Sequence, residues 1–381
     1  MQSASILAKP LADQIAATIR RAGGWIGFDD FMSQALYAPG LGYYAHDSAK
    51  FGTMPQGVKG EGSDFVTAPE MTPLFGQALA AQVAQALTET GTSQVWEFGA
   101  GSGALALHLL TELDHLGVAW QVYTIVDVSG SLKARQQALL ARFGGRVRWV
   151  DQLPRAMRGV VIGNEVLDAM PVKLVGRRAG GWFERGVGLG QTSLEGADDP
   201  FVWQDRPTHL RAPVDIEGPH DYLTEIHPQA EGFVRTLADH LEQGAVFFID
   251  YGFPEREYYH PQRHMGTLMC HRAHLADTNP LADVGEKDIT AHVNFTGIAL
   301  AAQEAGFEVL GYCTQARFLM NCGLLNRLEQ ASFKDKAMAQ KLIAEHEMGE
   351  LFKVLGLCKP PAASTPWQAL GFANGDRTHT L

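Results

Sequence analysis

Short apolar runs alternate with helix-length segments through the middle of the chain. Runs that are apolar throughout, rather than at every second position, are typical of strands buried on both faces of a parallel sheet. Five such strands are predicted over residues 95–97, 121–127, 146–151, 159–165 and 245–251. Two later strands, over 307–314 and 351–358, are expected to pair antiparallel. The pattern predicts an α/β fold with a doubly wound, mostly parallel Rossmann-like sheet that ends in an antiparallel strand pair.

The segments before and between these strands follow other patterns. Apolar residues at helical spacing predict a helix over 5–22, and residues 74–88 form a second one. The stretch 25–75 has weak periodicity but many glycines, prolines and aromatic residues, so we expect a lid or substrate-binding segment. Residues 172–215 predict an inserted β-hairpin region, 254–296 is expected to be irregular, and 324–350 is expected to be largely helical.

Composition narrows the class of protein. The chain has 381 residues, more than one hydrophobic core usually contains, and a formal net charge of −11 from 42 acidic and 31 basic residues. That balance disfavours nucleic acid as a partner. Because we find no apolar run of about 20 residues and no signal or transit segment, we expect no membrane insertion and a cytoplasmic location. Four scattered cysteines predict neither a disulfide framework nor a zinc ribbon.

The first buried strand leads into the most informative motif of the chain, Glu97-Phe98-Gly99-Ala100-Gly101-Ser102-Gly103. Glycines at alternate positions allow a tight turn and let backbone N–H groups approach a ligand closely. A predicted helix starts at Ala104, and its N-terminus favours a polar or anionic group. The motif therefore predicts a nucleotide-like cofactor, although a turn that binds nothing would have the same pattern.

Two cofactors are compatible with this motif, NAD and S-adenosylmethionine. Gly99-x-Gly101-x-x-Ala104 satisfies the looser dinucleotide pattern. Glu97, two residues before the first glycine, suits the ammonium group of S-adenosylmethionine and would repel a pyrophosphate. The predicted late antiparallel pair also fits a methyltransferase sheet better than a two-lobed dehydrogenase, so we favour S-adenosylmethionine.

Acidic residues close the other predicted strands, where ligands of parallel sheets bind. Asp127 lies 24 residues after Gly103, a distance that suits a helix and a second strand, and its carboxylate is expected to accept the ribose hydroxyls. Asp151 and Gln152 close the third strand and could reach the adenine amino group. A helix N-cap or a plain turn is the structural alternative at each position.

The fourth strand ends in Asn164-Glu165, and Asp168 follows three residues later. This strand end is expected to face the methyl group that is transferred. A guanidinium keeps its proton far above neutral pH and matches paired carboxylates. Glu165 and Asp168 are therefore the predicted catalytic residues, oriented toward an arginine acceptor. The alternative is one helix-capping acid and one surface acid.

Four of the 14 histidines lie in one later segment, residues 260–274. His260, His264, His271 and His274 lie close to Cys270, but their spacing fits no common zinc pattern. We predict no metal site here, and the sequence leaves open whether this segment has a functional role.

Taken together, these segments resemble the MidA-like methyltransferases, which include the mitochondrial complex I assembly methyltransferase and bacterial relatives. The resemblance covers most of the chain and depends on several blocks in order: Ala35–Tyr44, Asp64–Glu70, Glu97–Gly103, Gly163–Pro171, Ile249–Phe253, Gly266–Leu268 and Asp288–Phe295. It implies a class I S-adenosylmethionine-dependent fold and methylation of a protein arginine. The implied partner is a protein substrate, for which a respiratory-complex subunit is one candidate.

The resemblance also completes the predicted organisation. Residues 1–90 would form the N-terminal helix and lid segment. Residues 91–358 would form the methyltransferase domain, with insertions at about 172–240, 254–296 and 316–350. Residues 359–381 would form a Pro/Ser/Thr-rich tail. The expected cofactor-binding residues are Thr67, Pro69, Glu70, Glu97, Gly99, Ala100, Gly101, Gly103, Asp127, Asp151, Gln152 and Asn164. A non-catalytic S-adenosylmethionine-binding assembly factor and an NAD(P)-dependent oxidoreductase are the alternative functions. The sequence leaves open whether the chain forms a homo-oligomer.

Overall fold

A computed structural model describes residues 4–45, 67–127, 130–190, 200–272, 275–360 and 367–381 of the chain. Its helices are α1 (Ala4–Arg21), α2 (Phe28–Tyr37), α3 (Ala68–Met71), α4 (Pro73–Glu89), α5 (Ala104–His115), α6 (Gly130–Leu140), α7 (Pro228–His240), α8 (Glu255–Tyr258), α9 (Phe295–Glu304), α10 (Gln315–Asn321), α11 (Leu324–Gln330) and α12 (Phe333–Ile343). Its strands are β1 (Trp25–Gly27), β2 (Gln94–Phe98), β3 (Val122–Val126), β4 (Val147–Val150), β5 (Met157–Asn164), β6 (Lys173–Arg178), β7 (Gly181–Leu189), β8 (Phe201–Pro207), β9 (Tyr222–Ile226), β10 (Leu241–Phe253), β11 (Met269–Arg272), β12 (Leu275–Asp277), β13 (Asp288–Thr290), β14 (Val293–Asn294), β15 (Glu308–Thr314) and β16 (Phe352–Lys359).

The chain divides into two compact units. The sheet unit comprises Ala49–Leu167, Glu231–Gly252 and Phe295–Leu381. The insert unit comprises Met1–Ser48, Asp168–Ala230 and Phe253–Asn294. Each unit is therefore assembled from three separate stretches of sequence.

The sheet unit contains the predicted doubly wound sheet, with the strand order β15-β16-β10-β5-β2-β3-β4. The strands from β4 to β10 in this order run parallel, and β16 runs antiparallel to both β10 and β15. This order confirms the mostly parallel sheet and its terminal antiparallel pair. Phe75, Leu79 and Val83 of α4 are fully buried in the core beside this sheet.

The strand order reverses between β2 and β5, and this reversal positions the candidate site. The chain continues from β2 through β3 to β4 on one side and then returns to β5 on the other side of β2. Phe98 of β2 pairs with Gly163 of β5 at the carboxyl ends of both strands. The turns that begin at Gly99 and Asn164 therefore leave the sheet side by side, at the kind of reversal where open α/β sheets bind ligands.

The end of the predicted C-terminal tail packs against the same unit. The Phe372 side chain is only 3% exposed. A Cβ atom at Gly311 or Gly356 would come within 2.3 or 2.5 Å of its ring, so both glycines make room for it. The residues 361–366 of this tail lie outside the described part of the chain.

The insert unit is built from two antiparallel sheets. β7 pairs with β1, β6 and β8, and β6 pairs with β9, which confirms the predicted hairpin region. The second sheet, in the order β12-β11-β13, lies within the stretch 254–296. The expectation of an irregular segment there was wrong, because its strands are only three or four residues long and carry too few residues for a visible alternation.

The stretch 25–75 also differs from the prediction of weak periodicity. It contains β1 and α2, and Phe28, Phe31, Met32, Ala35 and Leu36 of α2 are fully buried in the core of the insert unit. These positions have the i, i+3, i+4, i+7, i+8 spacing of an amphipathic helix, so the signal was present but masked by the surrounding glycines and prolines. The residues 46–66, including Asp64–Val66 of one family block, lie outside the described residues.

Candidate functional site

The glycine turn after β2 has a backbone that only glycine adopts easily. Gly99, Gly101 and Gly103 have φ values of 62°, 52° and 87°. A Cβ atom at Gly99 would lie 3.3 Å from Cγ2 of Val166, which belongs to the turn after β5. The Gly103 N–H donates to the Ala100 carbonyl at 2.8 Å, and α5 begins directly after it. The alternate glycines are therefore explained by backbone geometry and by close approach of the two turns.

A buried glutamine that the sequence analysis did not single out connects the glycine turn to Asp127. Gln136 of α6 is fully buried, and its Nε2 donates to the Gly101 carbonyl at 2.9 Å and to Asp127 Oδ2 at 3.0 Å. Its Oε1 accepts the indole N–H of Trp149 at 2.8 Å. One side chain thus fixes the turn, the carboxylate at the end of β3 and a residue of β4. A glutamine in a helix carries no sequence signal for such a role.

Glu97 lies in β2 and is only 2% exposed. The pKa of its carboxyl is raised to about 8, chiefly by burial; the hydrogen bond from Tyr123 acts in the opposite direction, and the charge of nearby Asp127 adds to the rise. The Tyr123 hydroxyl donates to Glu97 Oε2 at 2.8 Å. Ionisation of Glu97 is therefore unfavourable without a nearby cation, and a ligand ammonium group would favour the charged form.

The segment Thr67–Glu70 lies beside the glycine turn. Thr67 precedes α3, Pro69 is buried, and the Glu70 N–H donates to the Thr67 carbonyl at 2.9 Å. Glu70 hydrogen-bonds with Ser102 of the glycine turn. Burial raises the pKa of Glu70, while Ser102 and the charge of Arg135 lower it. Four of the predicted elements, namely this segment, the glycine turn, Glu97 and Asp127, therefore belong to one part of the sheet unit.

Asp151 and Gln152 have a different environment from the other predicted residues. Both lie on the turn after β4, and both are exposed. Exposed side chains at this position are free to turn toward a ligand. Their contact with an adenine group stays a prediction.

The turn after β5 contains a strained backbone. Glu165 has a φ of 53°, one of three positive values among the described non-glycine residues. Asn164 Nδ2 donates to Glu165 Oε1 at 3.1 Å, and the Glu165 N–H donates to the Ile249 carbonyl at 2.9 Å. Asn164 Oδ1 is buried and has no hydrogen-bond partner among the described residues. Unusual backbone and an unsatisfied polar atom at the end of a parallel strand are features of functional sites.

Asp168 belongs to the insert unit, whereas Glu165 belongs to the sheet unit. Asp168 is 6% exposed, and its backbone carbonyl accepts the Ala291 N–H at 3.0 Å. Its charge contributes to the raised pKa of both Tyr37 and Tyr44, for which burial is the largest cause and Asp288 the second. Asp168 is thus close to a buried group of tyrosines and a carboxylate. Its pairing with Glu165 stays a prediction.

The structure describes the histidine-rich segment 260–274 except for residues 273 and 274. Within the described ranges, no three His, Cys, Asp or Glu side chains converge as a metal site would require. Cys270 is fully buried in β11, and His274 lies outside the described residues.

No described helix combines the length and the apolar character that would let it cross a bilayer.

Comparison with known proteins gives one family. A family model described as an S-adenosyl-L-methionine-dependent methyltransferase matches residues 78–313. Among solved structures, a protein from Burkholderia thailandensis bound to S-adenosyl-homocysteine has 47% sequence identity and a TM-score of 0.91, and the match covers 100% of this chain and 99% of that one.

Curated relatives are more distant but match most of the chain. The mitochondrial protein arginine methyltransferase NDUFAF7 of Danio rerio is 26% identical over 377 residues, which cover 89% of this chain and 82% of the relative. The Homo sapiens protein of the same name is 25% identical over 365 residues, covering 86% of this chain and 77% of the relative.

These relatives contradict one expectation. They are named as mitochondrial proteins, which conflicts with the predicted cytoplasmic location. That prediction was wrong because it depended only on the lack of a recognisable targeting segment, and such a lack does not determine a compartment.

Proposed function

Because the chain belongs to this family of S-adenosyl-L-methionine-dependent methyltransferases, we propose that it methylates an arginine side chain of a protein partner. The observation that carries this proposal is the close approach of the glycine turn to the turn of Glu165, where a Cβ atom at Gly99 would lie 3.3 Å from Cγ2 of Val166. Methyl transfer requires that the methyl donor and the acceptor nitrogen are held close together. A cofactor-binding turn beside a carboxylate turn at a sheet reversal provides such an arrangement. The relatives named as protein arginine methyltransferases support the choice of acceptor.

The residues around the glycine turn fit S-adenosylmethionine. This cofactor, when bound, supplies an electrophilic methyl group on a sulfonium sulfur. The positive φ values at Gly99, Gly101 and Gly103 leave a side-chain-free backbone for close approach. We propose that Glu97 stabilises the cofactor's ammonium group and that Asp127, oriented by Gln136, accepts its ribose hydroxyls.

Other residues of the predicted set complete this proposal. Thr67, Pro69 and Glu70 would cover the cofactor, Ala100 would contribute backbone to the turn, Asp151 and Gln152 would contact the adenine, and Asn164 would orient Glu165. Their roles are our proposals and depend on the same turn and strand ends.

Glu165 is the proposed catalytic residue. A guanidinium shares its positive charge among three nitrogens, so none of them is a good nucleophile. A carboxylate paired with one side of the group would hold the charge there and orient the remaining nitrogen. Asp168 is proposed as the second carboxylate.

The partner is proposed to be a protein, with a respiratory-complex subunit as the finer hypothesis. The resemblance to the complex I assembly methyltransferase supports that hypothesis. Whether the chain itself forms a homo-oligomer is a separate question that the solution mass of the purified protein would answer.

Intact-mass spectrometry of a copurified partner, incubated with the protein with and without S-adenosylmethionine, tests the function. We expect a mass gain of one or two methyl groups, located on arginine by fragmentation. A partner that binds without any mass gain would favour the non-catalytic assembly factor. Calorimetry that detects binding of NAD but not of S-adenosylhomocysteine would favour an oxidoreductase instead.

Gln136→Ala should weaken S-adenosylhomocysteine binding about tenfold, because it leaves the Gly101 carbonyl, Asp127 and the Trp149 indole without their shared partner. Calorimetric titration at fixed pH measures the change. Gln137→Ala is the matched control, since Gln137 is exposed on the same helix. Equal affinities of both variants would show that Gln136 does not orient the cofactor site.

A further inference from the structure

The backbone of Glu165 is held in an unfavourable conformation. For an L-residue other than glycine, the left-handed region is sterically unfavourable, so it persists only when neighbouring groups stabilise it. The φ of 53° at Glu165 therefore requires an explanation in the residues that surround this turn.

A buried carboxylate at the end of β10 provides that explanation. Asp250 is 1% exposed, and its Oδ2 accepts the N–H groups of Val166 at 3.1 Å and Leu167 at 2.8 Å. Its Oδ1 accepts the Tyr251 N–H at 2.9 Å. Hydrogen bonds to an ionised acceptor are roughly twice as strong as neutral ones. A carboxylate therefore suits this position.

The neighbouring residue of β10 completes the arrangement. Ile249 pairs with Asn164 in the sheet, and its carbonyl accepts the Glu165 N–H at 2.9 Å. The end of β10 thus accepts three successive N–H groups, those of residues 165, 166 and 167. All three belong to the turn that carries the proposed catalytic carboxylate.

We propose that Asp250 is a positioning residue for methyl transfer, which fixes the Glu165 turn and thereby the direction of the Glu165 carboxylate. This inference depends on the proposed function for its kinetic consequence, although the structural role of Asp250 does not. In the sequence, Asp250 lies within the predicted strand 245–251 and within the family block Ile249–Phe253, and neither pattern predicts this role. The two hydrogen bonds that its Oδ2 accepts come from the backbone of a turn 83 and 84 residues away in sequence.

Asp250→Asn tests the proposal with little change in shape. Both carboxylate oxygens of Asp250 accept backbone N–H groups, so the NH₂ group of asparagine would replace one acceptor with a donor. In one orientation of the amide it would face the Tyr251 N–H, and in the other it would face the N–H groups of Val166 and Leu167. We expect kcat for methyl transfer to fall about 100-fold, the loss that a misplacement of about 1 Å can cause. The KM for the partner and the affinity for S-adenosylhomocysteine should stay within about twofold, because those contacts are elsewhere. Asp239→Asn, exposed on α7, is the matched control.

A double mutant separates positioning from general stability. If Asp250 acts through Glu165, Asp250→Asn should cost little further activity in a Glu165→Gln background, since residues that act as a unit are non-additive. Multiplicative losses would overturn the proposal. If Asp250→Asn does not fold, Asp250→Glu retains the charge and gives the same comparison with a smaller expected loss.

Hydrogen exchange distinguishes failure of this inference from failure of the proposed function. In Asp250→Asn, the peptide that contains Val166 and Leu167 should exchange faster than in the parent protein. Unchanged exchange would overturn the positioning role, whatever the activity. Faster exchange in a protein whose parent form transfers no methyl group would leave the structural role intact and refute the proposed function alone.

Discussion

Glu165→Gln should lower kcat/KM for methylation of the protein partner about 1000-fold. Glutamine has nearly the size of glutamate and can still accept the hydrogen bond from Asn164 Nδ2, so the turn should keep its shape. What is lost is the negative charge that would localise the positive charge of a guanidinium. The affinity for S-adenosylhomocysteine should change by less than about threefold, because the proposed contacts of that ligand are with the glycine turn.

Radiolabelled methyl transfer to the purified partner measures this loss, and calorimetry measures the affinity. Glu242→Gln, exposed in β10, serves as the control for the loss of one negative charge in the same unit. Methyl transfer at the unmutated rate by Glu165→Gln would show that the acceptor is oriented by another group.

Glu97→Gln should make the stability of the protein less dependent on pH. The pKa of Glu97 is about 8 in the folded protein against an ordinary value of 4.5. Between these values the folded state binds more protons than the unfolded state, so stability is fully present below about pH 4.5 and is lost as pH rises toward about 8. Glutamine cannot ionise and avoids this loss.

The difference in unfolding free energy between Glu97→Gln and the parent protein should therefore grow with pH and level off above about pH 8. One pKa unit corresponds to about 1.4 kcal/mol, so the limit is on the order of 5 kcal/mol in favour of the variant. Urea unfolding without cofactor at about pH 5 and about pH 8.5 measures it. Glu89→Gln, exposed at the end of α4, is the control.

The same variant should bind S-adenosylhomocysteine more weakly if Glu97 stabilises the ligand ammonium. If Glu97→Gln has a higher unfolding free energy and a lower affinity for S-adenosylhomocysteine, then the buried carboxylate of Glu97 lowers stability and strengthens ligand binding. Tyr123→Phe removes the hydrogen bond that lowers the pKa of Glu97, so the loss of stability with rising pH should continue to a higher pH than in the parent protein. An identical pH profile for Glu97→Gln and the parent protein would contradict the assignment.

The elements that could be predicted from the sequence are those where local pattern and chemistry agree. The buried parallel strands are short apolar runs that end in polar residues, and the structure confirms each of them within a few residues. The glycine turn was equally predictable from the sequence, because the positive φ values at Gly99, Gly101 and Gly103 need a residue without a side chain.

Residues that act through distant contacts were not predictable in the same way. Gln136 looks like any helical glutamine, although it bonds to a carbonyl 35 residues earlier in the chain. The raised pKa of Glu97 depends on burial by the assembled sheet, which no local pattern contains. The failure at α2 was different, since its apolar spacing was present and only its surroundings obscured it.

The hydrogen bond between Gln136 and the Trp149 indole has a practical consequence. It couples an intrinsic fluorophore to the side chain that also bonds to Gly101 and Asp127. We expect a ligand that tightens this arrangement to change the polarity around one indole, and therefore expect the tryptophan emission to change when the proposed cofactor site is occupied. With seven tryptophans in the chain, the contribution of Trp149 is the part of the emission that a Trp149→Phe variant lacks.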